Sequence, residues 1–214
     1  EFKFNSKVEK IIVHNKIAVG ILCNDTTYFG DYIISNSDVV PTYRALLKDQ
    51  KSPEKILQQP RSSSALIFYW GIKKEFPSLD LHNIFFSKNY QKEFEYIFDK
   101  KKVSDDPTVY INITSKENKS DAPQGSENWF VMVNVPSNTG QDWDAIIKKV
   151  RKDVINKLSD SLSVNLEDLI EFESVLDPRL IESKTMSYQG ALYGASSNNK
   201  FAAFLRHPNF SQLI

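Results

Sequence analysis

Short runs that alternate between apolar and polar residues open the chain. Three such runs predict β-strands at 8–13, 17–22 and 26–29. Asparagine and aspartate stand between them, and these residues suit tight turns. Three short strands at this spacing predict an antiparallel meander. The next apolar run, 31–36, predicts a buried strand that ends at Ser35 and Asn36 beside a ligand crevice.

The pattern changes at about residue 62. Strongly β-prone runs predict strands at 64–72, 83–86, 108–114, 129–135 and 171–175. Apolar residues recur every three or four positions at 90–98 and 142–159, which predicts two amphipathic helices. Shorter helices are predicted at 41–47, where Pro41 occupies the first turn, and at 177–183. The sum is an α+β fold in which a mostly antiparallel sheet carries helices on one side.

Composition excludes several classes of protein. Lysine and arginine balance aspartate and glutamate at 27 each, so no basic excess suggests a nucleic-acid partner. A single cysteine, Cys23, excludes an internal disulfide, and no apolar run is long enough to span a bilayer. The three histidines lie far apart in sequence, and no metal site is predicted. Gly-x-Gly-x-x-Gly, phosphate-binding P-loop and Gly-x-Ser-x-Gly motifs are all absent.

A series of short motifs in fixed order resembles the phytoene desaturase family of FAD-dependent carotenoid desaturases and isomerases. The order runs from 31–38 through 63–71 and 82–87 to 127–129. The most specific match is at the end of the chain, in Gly190-Ala-Leu-Tyr-Gly194 and in 202–208. In that family a Gly-x-Gly-x-x-Gly turn and a glycine-rich flavin segment lie outside the part represented here. The chain is therefore expected to be a piece of a larger enzyme.

The resemblance implies three regions. Residues 1–60 would be part of an FAD-binding, Rossmann-like domain, comprising the meander, a strand and a connecting helix. Residues 61–185 would form the substrate-binding domain. Residues 186–214 would return toward the FAD domain.

The resemblance also implies residues that bind FAD. Val8 would contact the adenine through its backbone, Ser35 and Asn36 would face the crevice, and Arg206 would neutralise flavin or phosphate charge. Each has a structural alternative: a core strand residue for Val8, a turn cap for Ser35 and Asn36, and a surface salt bridge for Arg206.

A second set is expected to contact a long apolar substrate. Its members are Phe68, Trp70, Trp129, Tyr193, Ser196 and Asn198. Ordinary core packing is the alternative for the aromatic residues, and helix capping is the alternative for Ser196 and Asn198.

The function implied for the full-length protein is FAD-dependent desaturation of phytoene or a related carotenoid, with hydride transfer to flavin. The isolated piece is expected to be inactive, and no catalytic base is assigned. Isomerisation or saturation by the same architecture and a non-catalytic carrier of apolar ligands are the alternatives. Cytoplasmic location with peripheral membrane contact is expected, because carotenoid precursors dissolve in lipid. Oligomeric state is left open.

Overall fold

The chain divides into two compact units. A computed structural model describes residues 1–196. Unit 1 contains Glu1–Arg61, Thr185–Tyr188 and the described residues from Tyr193 onward. Unit 2 contains Ser62–Lys184 and Gln189–Leu192.

Unit 1 begins with the predicted meander. Strands β1 (Val8–His14), β2 (Ile17–Cys23) and β3 (Thr26–Phe29) form an antiparallel sheet in the order β1-β2-β3. The two connecting turns have positive φ at both central residues, which are Asn15 and Lys16 in the first turn and Asn24 and Asp25 in the second. Asparagine and aspartate tolerate this conformation, and its twist matches that of the flanking strands. The turn residues therefore fix the register of the meander.

The predicted buried strand at 31–36 is wrong. The segment has no regular secondary structure, and its apolar residues Tyr32 and Ile34 are 88% and 91% exposed. The apolar residues of this segment suggested a strand. A strand, however, also needs a neighbouring strand to hydrogen-bond with, and composition does not show whether one is present. Among the described strands, none pairs with this segment.

The helix predicted at 41–47 is confirmed, although it starts two residues earlier. Helix α1 (Val39–Pro41) continues directly into a π-helical turn, Thr42–Leu46. Asp38 caps α1, because its carboxylate accepts a hydrogen bond of 3.0 Å from the Val40 N–H. A short helix, α2 (Glu54–Leu57), interrupts the polar segment that follows.

Unit 2 is built on a five-stranded antiparallel sheet. Its strands are β4 (Ser64–Ile72), β5 (His82–Phe85), β6 (Val109–Asn112), β7 (Glu127–Val135) and β8 (Ile170–Leu176). They lie in the order β5-β6-β7-β4-β8, so the two longest strands occupy central positions. The five strands predicted from sequence and the α+β class are confirmed.

Three helices accompany this sheet: α3 (Tyr90–Phe98), α4 (Trp143–Leu162) and α5 (Pro178–Thr185). Asp142 caps α4 by accepting from the Ala145 N–H at 3.1 Å. Ser163 ends α4 in the left-handed conformation. The two helices predicted at 90–98 and 142–159 from the spacing of apolar residues are therefore confirmed.

The main core lies between α4 and one face of the sheet. Alternate residues of β4, β6 and β7 point to this face, as the two-residue period of a strand requires. They pack against Val150, Val154 and Leu158 of α4, all of which are buried. One carboxylate is buried in this layer. Glu127 accepts hydrogen bonds from the Trp129 indole at 2.8 Å and the Phe76 N–H at 2.9 Å, and it pairs with Lys116.

Helix α5 is anchored at its first turn by Asp177. The Asp177 carboxylate accepts hydrogen bonds from the N–H groups of Arg179 and Leu180 and from the Arg179 guanidinium. Burial raises the pKa of Asp177, but these hydrogen bonds outweigh burial, so the pKa lies below its ordinary value.

We predict that replacing Asp177 with Asn weakens the pH dependence of stability in acid. A carboxyl with a depressed folded pKa stabilises the fold above its unfolded pKa of about 4, and the stabilisation is lost as the pH falls through the folded value. Asp177→Asn should lower the free energy of unfolding at neutral pH by about 1–2 kcal/mol, as loss of a helix cap does. The variant should also show a shallower fall in stability below about pH 4 than the wild type.

Urea unfolding between pH 3 and pH 7 measures both effects. Asp160→Asn, at an exposed position of α4, is the matched control and should leave the curve unchanged. An Asp177→Asn curve parallel to that of the wild type throughout this range would contradict the assignment.

Candidate functional site

The face of the unit 2 sheet that points away from α4 carries a row of rings. Tyr69 of β4, Phe130 of β7, Tyr110 of β6 and His82 of β5 form this aromatic row. Ring centroids are 5.6 Å apart between Tyr69 and Phe130, 6.3 Å between Phe130 and Tyr110, and 6.0 Å between Tyr110 and His82. The row crosses four strands, so it is roughly 14 Å long at the usual strand spacing.

Polar contacts fix one end of the aromatic row. The His82 Nδ1 and the Tyr110 hydroxyl lie 2.8 Å apart, and Asn112 also contacts His82 Nδ1 at 3.2 Å. Around the row the surface is apolar, with Ile84 and Phe172 exposed and Met132 half-buried. A rigid apolar surface with few polar groups suits an elongated apolar ligand.

The prediction that helices lie on one side of the sheet is wrong, because α4 packs on one face and helix α5 covers part of the opposite face. Ile181 packs on Ala65 and Ile67, which lie at the beginning of β4. Tyr69, further along the same strand, remains 40% exposed. The sheet therefore has one face closed by α4 and a second face that stays open over the aromatic row.

Three of the predicted substrate residues lie in the core instead. Phe68, Trp70 and Trp129 are at most 2% exposed and pack in the cluster that contains α4. Their contact with substrate stays a prediction that this burial disfavours. Strand parity was the signal that could have separated them from their neighbours. Trp129 alternates with Asn128 and Phe130, so Phe130 had to point to the other side of the sheet.

The remaining predicted substrate residues belong to the end of the described chain. Tyr193 is exposed, and the Ser196 N–H donates to the Pro60 carbonyl at 2.7 Å. Both lie in unit 1. Asn198 lies outside the described residues, as does the predicted cofactor residue Arg206.

The predicted cofactor residues of unit 1 are on its strand and its connecting segment. Val8 is the first residue of β1 and is half-buried, whereas Ser35 and Asn36 are exposed. The Ser35 hydroxyl lies 2.9 Å from that of Ser37, and the Ser37 hydroxyl lies 2.7 Å from that of Thr42. These contacts form a small hydroxyl cluster at the start of the α1 segment.

A buried ion pair in unit 1 was not predicted from the sequence. Arg61 pairs with Asp38, and the side chains of both are more than nine-tenths buried. Asp38 also accepts from the Tyr188 N–H at 3.3 Å, and the Arg61 guanidinium lies 5.6 Å from the centre of the Tyr188 ring. Arg61 Nε and Nη1 are buried and have no hydrogen-bond partner among residues 1–196. No sequence period marks such a pair, because its partners stand 23 positions apart.

Residues 1–196 contain no cluster of three or more histidine, cysteine, aspartate or glutamate side chains arranged to hold a metal. No helix in the same range has the length and apolar character needed to cross a bilayer.

Comparison with solved structures first defines the class of fold. An oxidoreductase from Methanosarcina mazei matches with a TM-score of 0.50 over 79% of this chain and 36% of its own length. Sequence identity is 14%, so this match concerns the fold alone. No protein-family model matches the chain.

Comparison with curated proteins then gives the family. A 1-hydroxycarotenoid 3,4-desaturase from Flavobacterium sp. (strain P99-3) is 56% identical over all 214 residues of this chain. A 4,4'-diaponeurosporene oxygenase from Staphylococcus aureus (strain MRSA252) is 32% identical over 97% of the chain. A phytoene desaturase from Fusarium fujikuroi is 30% identical over 92% of the chain. The chain belongs to the carotenoid desaturase family, as the order of its motifs indicated.

The chain spans about two fifths of the length of these relatives. It covers 44% of the Flavobacterium desaturase, 42% of the Staphylococcus oxygenase and 39% of the Fusarium desaturase.

We predict that Asp38→Asn strongly destabilises unit 1. The substitution leaves the buried Arg61 charge without its counterion, which costs about 3–5 kcal/mol in comparable buried pairs. Amide hydrogen exchange of the α1 segment in the variant and in the wild type measures the loss as reduced protection.

Two controls accompany this measurement. Glu54→Gln removes the partner of Arg44 in an exposed pair and should change protection little. The double variant Asp38→Asn/Arg61→Gln removes both charges and should regain part of the protection. Equal effects of Asp38→Asn and Glu54→Gln would contradict the importance of the buried pair.

Proposed function

We propose that the full-length protein containing this chain is an FAD-dependent carotenoid desaturase. The observation that carries the proposal is the 56% identity to a 1-hydroxycarotenoid 3,4-desaturase, sustained over the whole chain. The phytoene desaturase from Fusarium fujikuroi is only 30% identical. A 1-hydroxycarotenoid, desaturated at carbons 3 and 4, is therefore the preferred substrate in this proposal.

The reaction removes two hydrogens from adjacent carbons of a long isoprenoid and leaves a new double bond. FAD, when bound, accepts one hydrogen with its electron pair as a hydride, and the second hydrogen leaves as a proton. The task of the protein is to align the reacting carbons and to exclude water.

The open face of the unit 2 sheet is the proposed binding surface for the polyene. A conjugated chain is flat, rigid and apolar, and the aromatic row presents a continuous set of rings to such a molecule. Tyr69 and Phe130 stand at the centre of the sheet, where their strands are held on both sides. A ligand here would gain apolar burial without ordering a flexible loop.

Residues of unit 1 would hold part of FAD. Nε and Nη1 of Arg61 are buried N–H donors without a partner in the described chain, so an oxygen atom of FAD would satisfy them. Asp38 already neutralises the guanidinium charge, so this acceptor need not be charged. The hydroxyl cluster at Ser35 supplies further donors for a phosphate or ribityl group. The main pyrophosphate-binding turn is not among these residues, since the sequence contains no Gly-x-Gly-x-x-Gly. The donor set therefore fits a part of the cofactor.

This assignment gives the two units different tasks in the full-length protein. Residues 1–60 and 186–214 would contribute to the flavin side, and residues 61–185 would bind the isoprenoid. We further propose that the protein acts from the cytoplasmic surface of a membrane, because its substrate is stored in lipid.

The full-length protein, supplied with FAD and a 1-hydroxycarotenoid in detergent micelles, should form a product lighter by two hydrogens. Its absorption should shift to longer wavelength, because the conjugated system is extended. Chromatography with mass detection measures both. If the protein converts phytoene and not the 1-hydroxycarotenoid, the proposed substrate is wrong and phytoene replaces it. A product of unchanged mass would indicate an isomerase. A product that has gained oxygen would indicate an oxygenase, and one that has gained hydrogen would indicate a saturase. Binding without conversion would support a carrier and contradict the desaturase.

A matched pair of variants links this activity to the open face. Tyr69→Ala removes a half-exposed ring of the aromatic row and should raise KM several-fold, corresponding to about 1–2 kcal/mol of lost apolar contact. Lys152→Ala, on the exposed side of α4, should leave KM unchanged. Flavin content and melting temperature show that both variants remain folded.

A further inference from the structure

A ladder of aromatic rings begins just after β5 and continues along helix α3, and its first three rings are exposed. Phe86, Tyr90, Phe94 and Phe98, spaced four residues apart, form this aromatic ladder. Consecutive ring centroids are 6.2 Å, 4.8 Å and 5.7 Å apart. Phe86 is 64% exposed and Tyr90 is 50% exposed. A contiguous exposed apolar patch of this kind marks an interaction surface.

The buried side of α3 contains a carboxylate beside the apolar side chain of Ile97. Glu93 is buried, and its carboxylate accepts hydrogen bonds from the Thr108 N–H at 3.0 Å and the Thr108 hydroxyl at 2.7 Å. Tyr90 and Phe94, in contrast, face solvent. Glu93 holds the buried side of α3 against Thr108, and the aromatic side of the helix stays exposed to solvent. The exposed rings are therefore free to contact an apolar partner.

Lysines stand around the aromatic ladder, and two of them, Lys92 and Lys100, lie over the Tyr96 ring at 5.8 Å and 4.0 Å from its centre. Five lysines stand close to the ladder in sequence: Lys88, Lys92, Lys100, Lys101 and Lys102. Within residues 1–196, none of the five forms a salt bridge. Nearby carboxylates are occupied elsewhere, because Asp105 pairs with Lys149 and Asp106 pairs with Lys157. Glu93, Glu95 and Asp99 also form no salt bridge within the described chain, so five lysines stand against three carboxylates and positive charge is in excess.

A cavity of about 210 Å³ opens beside the same helix. Its lining comprises Lys88, Asn89, Lys92 and Tyr96 and three carboxylates, those of Glu93, Asp105 and Asp106. The Ser104 hydroxyl also lines the cavity, and it is buried without a hydrogen-bond partner in the described chain. The three carboxylates outnumber the two ammonium groups, so the cavity itself does not suit a phosphate. The charge that could meet a phosphate of a lipid headgroup is that of the lysines at the surface.

We propose that the aromatic ladder and its lysines form the surface by which the protein docks on an anionic phospholipid bilayer. Phe86 and Tyr90 enter the boundary between headgroups and acyl chains, where amphipathic rings are favoured. Lys88 and Lys92 bind headgroup phosphates at the membrane surface. The inference deepens the proposed function and rests on it only for the expected membrane partner.

Flotation of the full-length protein with vesicles tests the aromatic part. The wild type should float with vesicles of phosphatidylcholine and phosphatidylglycerol. Phe86→Ser should lower the partition coefficient by about tenfold, since a ring loses its place at the interface. Phe29→Ser is the matched control, because Phe29 is 78% exposed on β3 and belongs neither to the ladder nor to the open face of the unit 2 sheet. It should leave partition unchanged.

The lysines are tested by the lipid charge. Lys88→Gln/Lys92→Gln should weaken binding to the anionic vesicles by about tenfold, on the order of 1 kcal/mol for each lysine. The same variant should bind vesicles of phosphatidylcholine alone as the wild type does. Lys148→Gln/Lys152→Gln, two exposed lysines of α4, is the charge-matched control and should have no effect.

Several results would overturn the inference. Equal losses for Phe86→Ser and Phe29→Ser, or for the two lysine pairs, would show that the surface is not selective. A wild-type protein that does not float would refute it directly. If Phe86→Ser alters the oligomeric state by gel filtration and leaves flotation intact, the ladder is a contact between protein copies.

Activity in detergent micelles separates this inference from the proposed function. Loss of flotation with full activity in micelles would support the docking surface. Selective flotation by a protein that converts no carotenoid would contradict the desaturase and leave the docking surface standing.

Discussion

Helix α4 packs on one face of the unit 2 sheet, and side chains along each strand alternate between the two faces. Together these two constraints determine which residues form the core and which remain open to a ligand. Phe68 and Trp70 therefore serve the core, while Tyr69 between them is left for another partner. The long helix thus stabilises the unit and also decides which side of the sheet is open to a ligand.

The buried polar groups keep this arrangement specific. Glu127 is held inside the main layer by an indole, a backbone N–H and Lys116, so β7 cannot shift by one residue without leaving a carboxylate unpaired. In unit 1, Asp38 joins Arg61 and the Tyr188 N–H, which lie far apart in sequence. This pair therefore ties the connecting segment to the return of the chain near residue 188.

The sequence predicted the strands and long helices of the fold because their signals are local. Turn residues such as Asn15 and Asn24 and the helical spacing along α4 carry their own structural information. The segment 31–36 was misjudged because a strand also needs a neighbour, which composition does not reveal. For the candidate site, aromatic runs located the right strands, but the prediction chose Trp129, which lies on the core face. Strand parity was the unused signal that separates Phe130 from it. The Arg61–Asp38 pair depends on tertiary contact and left no local signal.

The central claim is that the polyene lies on the open face of the unit 2 sheet. Photo-cross-linking tests this claim most directly. p-Benzoylphenylalanine placed at Phe130 in the full-length protein should form an adduct with a bound carotenoid, identified by mass spectrometry of the peptide. The same group at Lys152, on the exposed side of α4, should form none. Adducts at 152 and none at 130 would contradict the account.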